Sequence, residues 1–215
     1  MTPHTVVNTL APGDLVFDVG ANRGNMAEAF LAAGARVVCI EPQPHLAAVL
    51  RQRFAGNSRV TVIEKGLGSL RGRSSMSVSS QADILSTFAE HWKVGRFKDM
   101  VWDQQIEVQI TTLDDLVAEF GIPRFCKIDV EGFEREVVKG LSSKIGVLSY
   151  EFTAEYRDHS MEVLEMLIRL GYRQFNVSLG DQPDFQWPEW VPYYEVVEAL
   201  TLSQSPELWG DIYAR

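Results

Sequence analysis

The sequence predicts an α/β protein built on a doubly wound sheet, and three observations carry that reading. The chain has 215 residues, 46% of them apolar and 23% charged, which suits a globular protein long enough for one full α/β domain and too short for two. Short apolar runs at Leu15–Val19, Arg36–Glu41 and Arg59–Glu64 alternate with stretches whose apolar residues recur at helical spacing, the pattern of a βαβαβ unit. Between the first run and its helix the chain turns on Gly20 and Gly24, a strand–glycine–helix sequence that aims helix N–H groups at a ligand above the strand end.

The elements follow in order. Residues 1–12 read as an N-terminal extension. Met26 to Ala33 forms the first helix, stopped at Gly34, and Arg36–Glu41 is apolar enough to be covered on both faces. Pro42 and Pro44 open a helix carrying Leu46, Val49, Leu50 and Phe54. The stretch 71–105 is irregular: Ser74 to Ser80 is either an extra strand or a loop, and Ala82 to Trp92 places Ile84, Leu85, Phe88 and Trp92 on one helical face. Ile106 to Thr111 alternates as a strand. Thr112-Leu113-Asp114-Asp115 is a capping box opening a helix that ends at Gly121 and Pro123. Phe125–Val130 is a strand, Phe133, Val137 and Leu141 a helical stripe, and Ile145–Phe152 a strand. A helix at Ser160–Leu170 and strands at Tyr172–Leu179 and Tyr193–Leu200 complete the expected order. No repeat, linker or low-complexity segment interrupts residues 1–215, so one domain is expected.

Composition narrows function. A formal charge of −9 argues against a broad nucleic-acid footprint, although a local basic patch stays open. Cys39 and Cys126 both fall inside strands and read as small core hydrophobes. No Cys/His cluster suggests structural zinc. No apolar stretch reaches about 18 residues, so no membrane span and a cytoplasmic location are expected.

Three motifs carry the chemistry. Asp18-x-Gly20-x-Asn22-x-Gly24 lacks the middle glycine that a dinucleotide turn uses to approach pyrophosphate, and it is no Walker loop. Asp18 at the strand end can meet a positive amino group, which suits the methionine end of S-adenosylmethionine. Glu41 ends the second strand, where a carboxylate accepts the hydroxyls of a ribose. Asp129 and Glu131 flank the end of the Phe125–Val130 strand at the same sheet edge. Paired acids there can deprotonate or orient a hydroxyl, or hold a divalent cation such as magnesium, with Glu151 as a third ligand. Glu151 interrupts an apolar strand, a costly place for an unused carboxylate. Glu134 and Glu136 read as solvated surface. His91 and His159 are lone histidines with no visible partner.

Phe17-Asp-Val-Gly-Ala-Asn-Arg-Gly-Asn25, Ile40-Glu41-Pro42, Thr111-Thr-Leu-Asp114, Lys127-Ile-Asp-Val-Glu-Gly-Phe-Glu134 and Trp209-Gly210-Asp211 together resemble the FkbM family of S-adenosylmethionine-dependent methyltransferases. The resemblance runs from about Leu15 to the end of the chain. It implies a Rossmann-like class I methyltransferase with a mostly parallel seven-stranded sheet, one strand antiparallel, and O-methylation of a hydroxyl on a sugar, polyketide or other small metabolite. Carried over by position, Asp18, Gly20, Ala21, Asn22, Gly24 and Asn25 hold the methionine portion and Glu41 with Pro42 the ribose. Gly66, Leu67 and Gly68 lie where adenine sits, and Asp129 also borders the cofactor. Asp129, Glu131 and Glu151 are the candidate catalytic acids, with Asp129 the first choice as base.

Two further stretches bear on the acceptor. Residues 71–105 carry Arg71, Arg73, Lys93, Arg96 and Lys98 among Phe88, Trp92, Phe97 and Trp102, a basic aromatic lid for a substrate or else edge packing. Phe185-Gln186-Trp187-Pro188-Glu189-Trp190 is a second aromatic cluster, placed to stack on a sugar or to complete a homodimer. A nicotinamide-dependent oxidoreductase on the same sheet and a non-catalytic cofactor-binding protein are the rival readings. Neither a nucleic acid nor a membrane is expected as partner.

Overall fold

The computed structural model describes residues 4–79, 86–89, 98–99, 101–180, 182, 184–203, 205 and 208–215. Seven strands form one sheet: β1 (Leu15–Val19), β2 (Arg36–Ile40), β3 (Val60–Ile63), β7 (Phe125–Ile128), β8 (Val147–Thr153), β9 (Phe175–Leu179) and β10 (Trp209–Ala214). Their order is β3-β2-β1-β7-β8-β10-β9. All neighbouring pairs are parallel except those of β10, which runs antiparallel to β8 and β9. A smaller sheet, ordered β4-β6-β5, is made of β4 (Gly66–Leu67), β5 (Gly72–Val78) and β6 (Gln104–Thr111).

Alternate residues of β1 face opposite sides, and each side buries its own helices. Leu15, Phe17 and Val19 join a core with α4 (Leu113–Phe120), α5 (Glu134–Lys139), α6 (Arg157–Arg169) and α7 (Tyr193–Leu202). Val16 instead packs with α1 (His4–Val7), α2 (Asn25–Ala32) and α3 (Pro44–Arg53) through Val6, Ala27, Phe30 and Leu50. Helices therefore cover both faces, as parallel strands that are largely apolar require. Cys39 and Cys126 are free and buried, and burial pushes both thiols up, so they serve as core residues.

Local signals worked where their chemistry is short-range. The Thr112 hydroxyl accepts the Asp115 amide at 3.1 Å and the Asp115 carboxylate accepts the Thr112 amide at 3.2 Å, so α4 begins with the expected capping box. Gly34 ends α2 with φ 92°, a conformation that favours glycine.

Other expectations need correction. Tyr193–Leu200 is a helix, α7, because its buried residues Val196 and Leu200 lie four apart on one helical face. The last strand is β10, where Gly210 lets the chain lie against β9: a Cβ there would overlap the Ser178 carbonyl oxygen. Of the Ser74–Ser80 stretch, residues 74–78 belong to β5 and pair with β6, while Ser80 lies outside the described residues. The Ala82–Trp92 helix falls mostly outside the described residues, and its described part, Ser86–Ala89, bridges Thr87 antiparallel to Ser77. The Tyr172–Leu179 strand starts only at Phe175, since Tyr172 turns into the core with its hydroxyl at the Ile145 backbone.

Candidate functional site

The carboxyl ends of β1, β2 and β7 open into a cavity of about 330 Å³. Its floor is the glycine turn. Gly20 takes φ 81° and Asn22 φ 47°, and the amides of Gly20 and Ala21 both donate to the Ile40 carbonyl, which stitches the turn to β2. A Cβ on Gly20 would overlap the Asp129 carbonyl oxygen, so only glycine permits this approach of β1 to β7. Gly24 does not line the cavity. With φ 83° it starts α2, and a side chain there would press within 2.8 Å of Leu50 and 2.7 Å of Phe54.

Glu41 is buried, and both its oxygens are engaged: Oε2 accepts the Asn22 amide and Oε1 the Gln43 amide, each at 2.9 Å. Burial pushes its carboxyl up to about 7, with the two amides pulling the other way. One carboxylate thus ties the glycine turn to the start of α3. Asp18 is also buried, and among the described residues its Oδ2 has no hydrogen-bond partner although Asp18 lines the cavity. Burial pushes its carboxyl up to about 6, Lys127 pulls it down, Asp129 pushes it up and the Ala27 amide lowers it. Asn22, Asn25, Pro42, Gly66 and Leu67 line the same space, Asn25 with its Oδ1 accepting from Arg53 at 2.9 Å.

Beside this space lies a group of acids around one buried cation. Lys127 stands next to Asp18 across β1 and β7 and is 7% exposed, with Nζ donating to Asp129 Oδ2 at 2.5 Å. Burial alone would lower the Lys127 ammonium, but Asp129, Asp211 and Asp18 together hold it above its usual value. Within the Lys127–Glu134 motif, Lys127 has no role evident from its near neighbours in sequence. A lysine in an otherwise apolar strand is the signal that could have found it, because a buried ammonium requires carboxylates around it.

The carboxylates of Asp129, Glu131 and Glu151 each place an oxygen within 4.8 Å of the others. Glu131 adopts φ 54°, unusual for a residue with a side chain, and its carbonyl accepts the Thr87 hydroxyl at 2.6 Å. Glu151 Oε2 is buried and has no hydrogen-bond partner among the described residues. Burial raises the Glu151 carboxyl well above the usual range, and Asp129, Glu131, Glu134 and Asp211 add to it. Burial raises Asp211 as well, partly offset by Lys127.

Glu134 is not solvated surface. It is 8% exposed, and its Oε1 accepts the amides of Val130 at 3.1 Å and Gly132 at 3.2 Å, pinning the turn that carries Glu131. Burial pushes it up to about 7. Glu136 is half-buried, bound to Lys139 at 2.5 Å and to Ser69.

Only part of the basic aromatic stretch 71–105 falls among the described residues. Arg71 pairs with Asp115 and Arg73 with Glu107, so neither points into the cavity. Phe88 does line it, packed on Phe133 at 5.2 Å between ring centres. Lys93, Arg96, Trp92, Phe97 and His91 lie outside the described residues. His159 stacks on Tyr156 beside a separate small hollow that Glu151 also lines. Phe185 and Trp190 pack at the other end of the sheet, against Tyr213 and Arg215.

With this geometry in view, the likeness to known proteins is informative. A family model described as methyltransferase FkbM domain matches residues 18–174. The 2-O-methyltransferase NoeI of Sinorhizobium fredii is 26% identical over 161 residues, 70% of this chain and 66% of that protein. The 31-O-demethyl-FK506 methyltransferase FkbM of Streptomyces tacrolimicus is 29% identical over 212 residues, 84% of this chain and 79% of that protein. Among solved structures, a precorrin-6y C5,15-methyltransferase from Geobacter metallireducens superposes with TM-score 0.52 at 13% identity, covering 99% of this chain and 86% of that one. Aeropyrum pernix fibrillarin, solved with S-adenosyl-L-methionine, gives TM-score 0.51 at 11% identity over 95% of this chain and 67% of its own. At such identities the structures speak for the fold alone.

Proposed function

The chain belongs to the methyltransferase FkbM domain family, and from that premise we propose that it carries a methyl group from S-adenosylmethionine to a hydroxyl of a small sugar- or polyketide-class acceptor. The family match sets the nicotinamide reading aside. What carries the proposal is the pairing of Glu41, fixed by two amides, with the unpartnered Oδ2 of Asp18 in one cavity. Glu41 keeps lone pairs free for ribose hydroxyls, and Asp18 offers a carboxylate to an ammonium. Gly66 and Leu67 with Phe88 supply an apolar slot for a base. When bound, the cofactor supplies a methyl group already activated on a sulfonium sulfur. The protein then has to orient the acceptor oxygen and take its proton. Asp129 suits orientation, because Lys127 already holds its Oδ2. Glu151 suits proton removal, because its Oε2 is unclaimed. The sugar or polyketide character of the acceptor rests on the names of the two distant relatives.

Calorimetry with S-adenosylhomocysteine and with NAD, followed by methyl transfer from labelled S-adenosylmethionine to a panel of glycosides and macrolides, tests the reading. Binding of NAD in preference to S-adenosylhomocysteine would overturn it. Asp129→Asn, Glu131→Gln and Glu151→Gln are each expected to cut turnover by about 10² or more while cofactor affinity stays within about threefold. Wild-type rates in all three would remove the acids from the mechanism.

Magnesium is a second reading, favoured by one observation, the three carboxylate oxygens gathered within 4.8 Å. Turnover that falls with EDTA and returns with magnesium supports it, and indifference to EDTA removes it.

The raised carboxyls also set a pH dependence. Asp18 at about 6 and Glu41 at about 7 keep protons in the folded chain that the unfolded chain releases near pH 4. Their contribution to stability is therefore present at low pH and lost as pH rises through 6 to 7. Ligand binding runs the other way, since only ionised Asp18 pairs with an ammonium. Affinity for S-adenosylhomocysteine is expected to rise about tenfold between pH 5 and pH 8, read by calorimetry. A flat profile would separate Asp18 from the ligand's amine.

A further inference from the structure

We propose that the end of the sheet opposite the cleft holds a second binding site, for a small organic phosphate, formed by Arg124, Lys144 and Arg215 beside Trp190. Arg124 precedes β7, Lys144 precedes β8 and Arg215 follows the antiparallel β10, so the topology brings all three to the edge remote from Asp18 and Asp129. There they line a cavity of about 380 Å³ together with Phe185 and Trp190.

The charge pattern points to an anion. No Asp or Glu side chain lines this cavity among the described residues, in a chain whose formal charge is −9. Among the described residues, Arg51 pairs with Glu64, Arg53 with Glu28, Arg71 with Asp115, Arg73 with Glu107, Arg135 with Glu162 and Arg169 with Glu165, while Arg36, Arg59, Arg157 and Arg173 donate to backbone carbonyls. Among the described residues, Arg124, Lys144 and Arg215 face no carboxylate side chain. Arg215 lays its guanidinium over Trp190 at 4.5 Å and donates from Nε to Gln174 at 3.0 Å. A guanidinium held over a ring keeps further N–H groups for the forked contact that phosphate oxygens match. The Arg215 main-chain oxygen accepts the Arg173 and Gln174 amides, which fixes the backbone at this end of the sheet. The Arg124 backbone is pinned on both sides: its amide donates to the Leu15 carbonyl and its carbonyl accepts the Val147 amide.

Three cations at one cavity exceed what a single carboxylate would balance, and a phosphate dianion fits that surplus better. The rings supply the second half of the recognition. Phe185 meets Trp190 edge-on at 5.4 Å and packs on Tyr213 at 4.9 Å, so both rings are held by the sheet and offer apolar surface beside the charges. An organic group on the phosphate would rest there. This site stands apart from the methyl-transfer reading and does not depend on it.

Phenyl phosphate is the probe, titrated by calorimetry into the full chain with and without saturating S-adenosylhomocysteine. One saturable site is expected under both conditions, with inorganic phosphate at least about tenfold weaker. Arg124→Ser with Lys144→Ser should weaken phenyl phosphate at least about tenfold, while Arg71→Ser with Arg73→Ser leaves it unchanged. All four positions are at the surface, so circular dichroism should show an intact fold in each variant. The proposal fails if no saturable binding occurs at millimolar phenyl phosphate, if S-adenosylhomocysteine competes with it, or if the Arg124/Lys144 variant binds as well as the native chain.

Discussion

Glu41→Ala is expected to weaken S-adenosylhomocysteine binding by about a hundredfold or more, because this side chain acts twice. In the free protein it joins the Asn22 amide to the Gln43 amide, and so holds the glycine turn against the start of α3. In the bound protein, as proposed, its remaining lone pairs receive the ribose hydroxyls. Removing it leaves two amides without their acceptor and takes away the ribose contact. Glu41→Gln keeps one carbonyl acceptor but turns an NH₂ toward an amide donor, so it should fall between wild type and alanine. Calorimetry against S-adenosylhomocysteine reads the series. An affinity within threefold of wild type for Glu41→Ala would show that the ligand does not use this strand end.

Gly20→Ala is expected to act on the fold itself. The residue sits at φ 81°, and a Cβ would overlap the Asp129 carbonyl oxygen, which belongs to backbone and cannot swing aside. Relief requires β1 and β7 to part where Gly20 and Asp129 meet, next to Lys127 and Asp18. A cost on the order of 3 kcal/mol is reasonable for combined strain and overlap. In a chain of this size that corresponds to a fall in melting temperature of roughly 6–12 °C, together with loss of cofactor affinity. Gly13→Ala is the control: φ is 89° there too, but no atom lies within 4 Å of the added Cβ. It should show the backbone cost alone. Equal melting temperatures for the two variants would mean that the approach of β1 to β7 carries no energetic weight.

The sequence was readable where a residue's role depends on its near neighbours. The capping box at Thr112, the stop at Gly34 and the mostly apolar runs of β1, β2 and β7 are local statements, and the structure keeps each of them. The placement of Asp18, Glu41, Asp129 and Glu131 at one sheet edge was also within reach, because parallel strands joined by crossover helices must end on the same side. The error at Tyr193–Leu200 has a definite cause. Its aromatic and β-branched residues favour a strand, but Val196 and Leu200 find their burial one helical turn apart against the face that α6 also covers.

What the sequence determined by itself, then, is the alternating α/β order, the glycine turn and the set of acids at the strand ends. The tertiary structure alone decided which of those acids are paired and which are left unclaimed. Glu134 read as surface until its carboxylate was seen to hold the Val130 and Gly132 amides. Lys127 had no role until β1 and β8 placed Asp18 and Ser149 beside it and its ammonium met Asp129. Asp18 and Glu151 emerged as the acids with a buried oxygen left open. The physical reason is that a side chain's charge state depends on its desolvation and on charges a few ångströms away, and strands distant in sequence supply both.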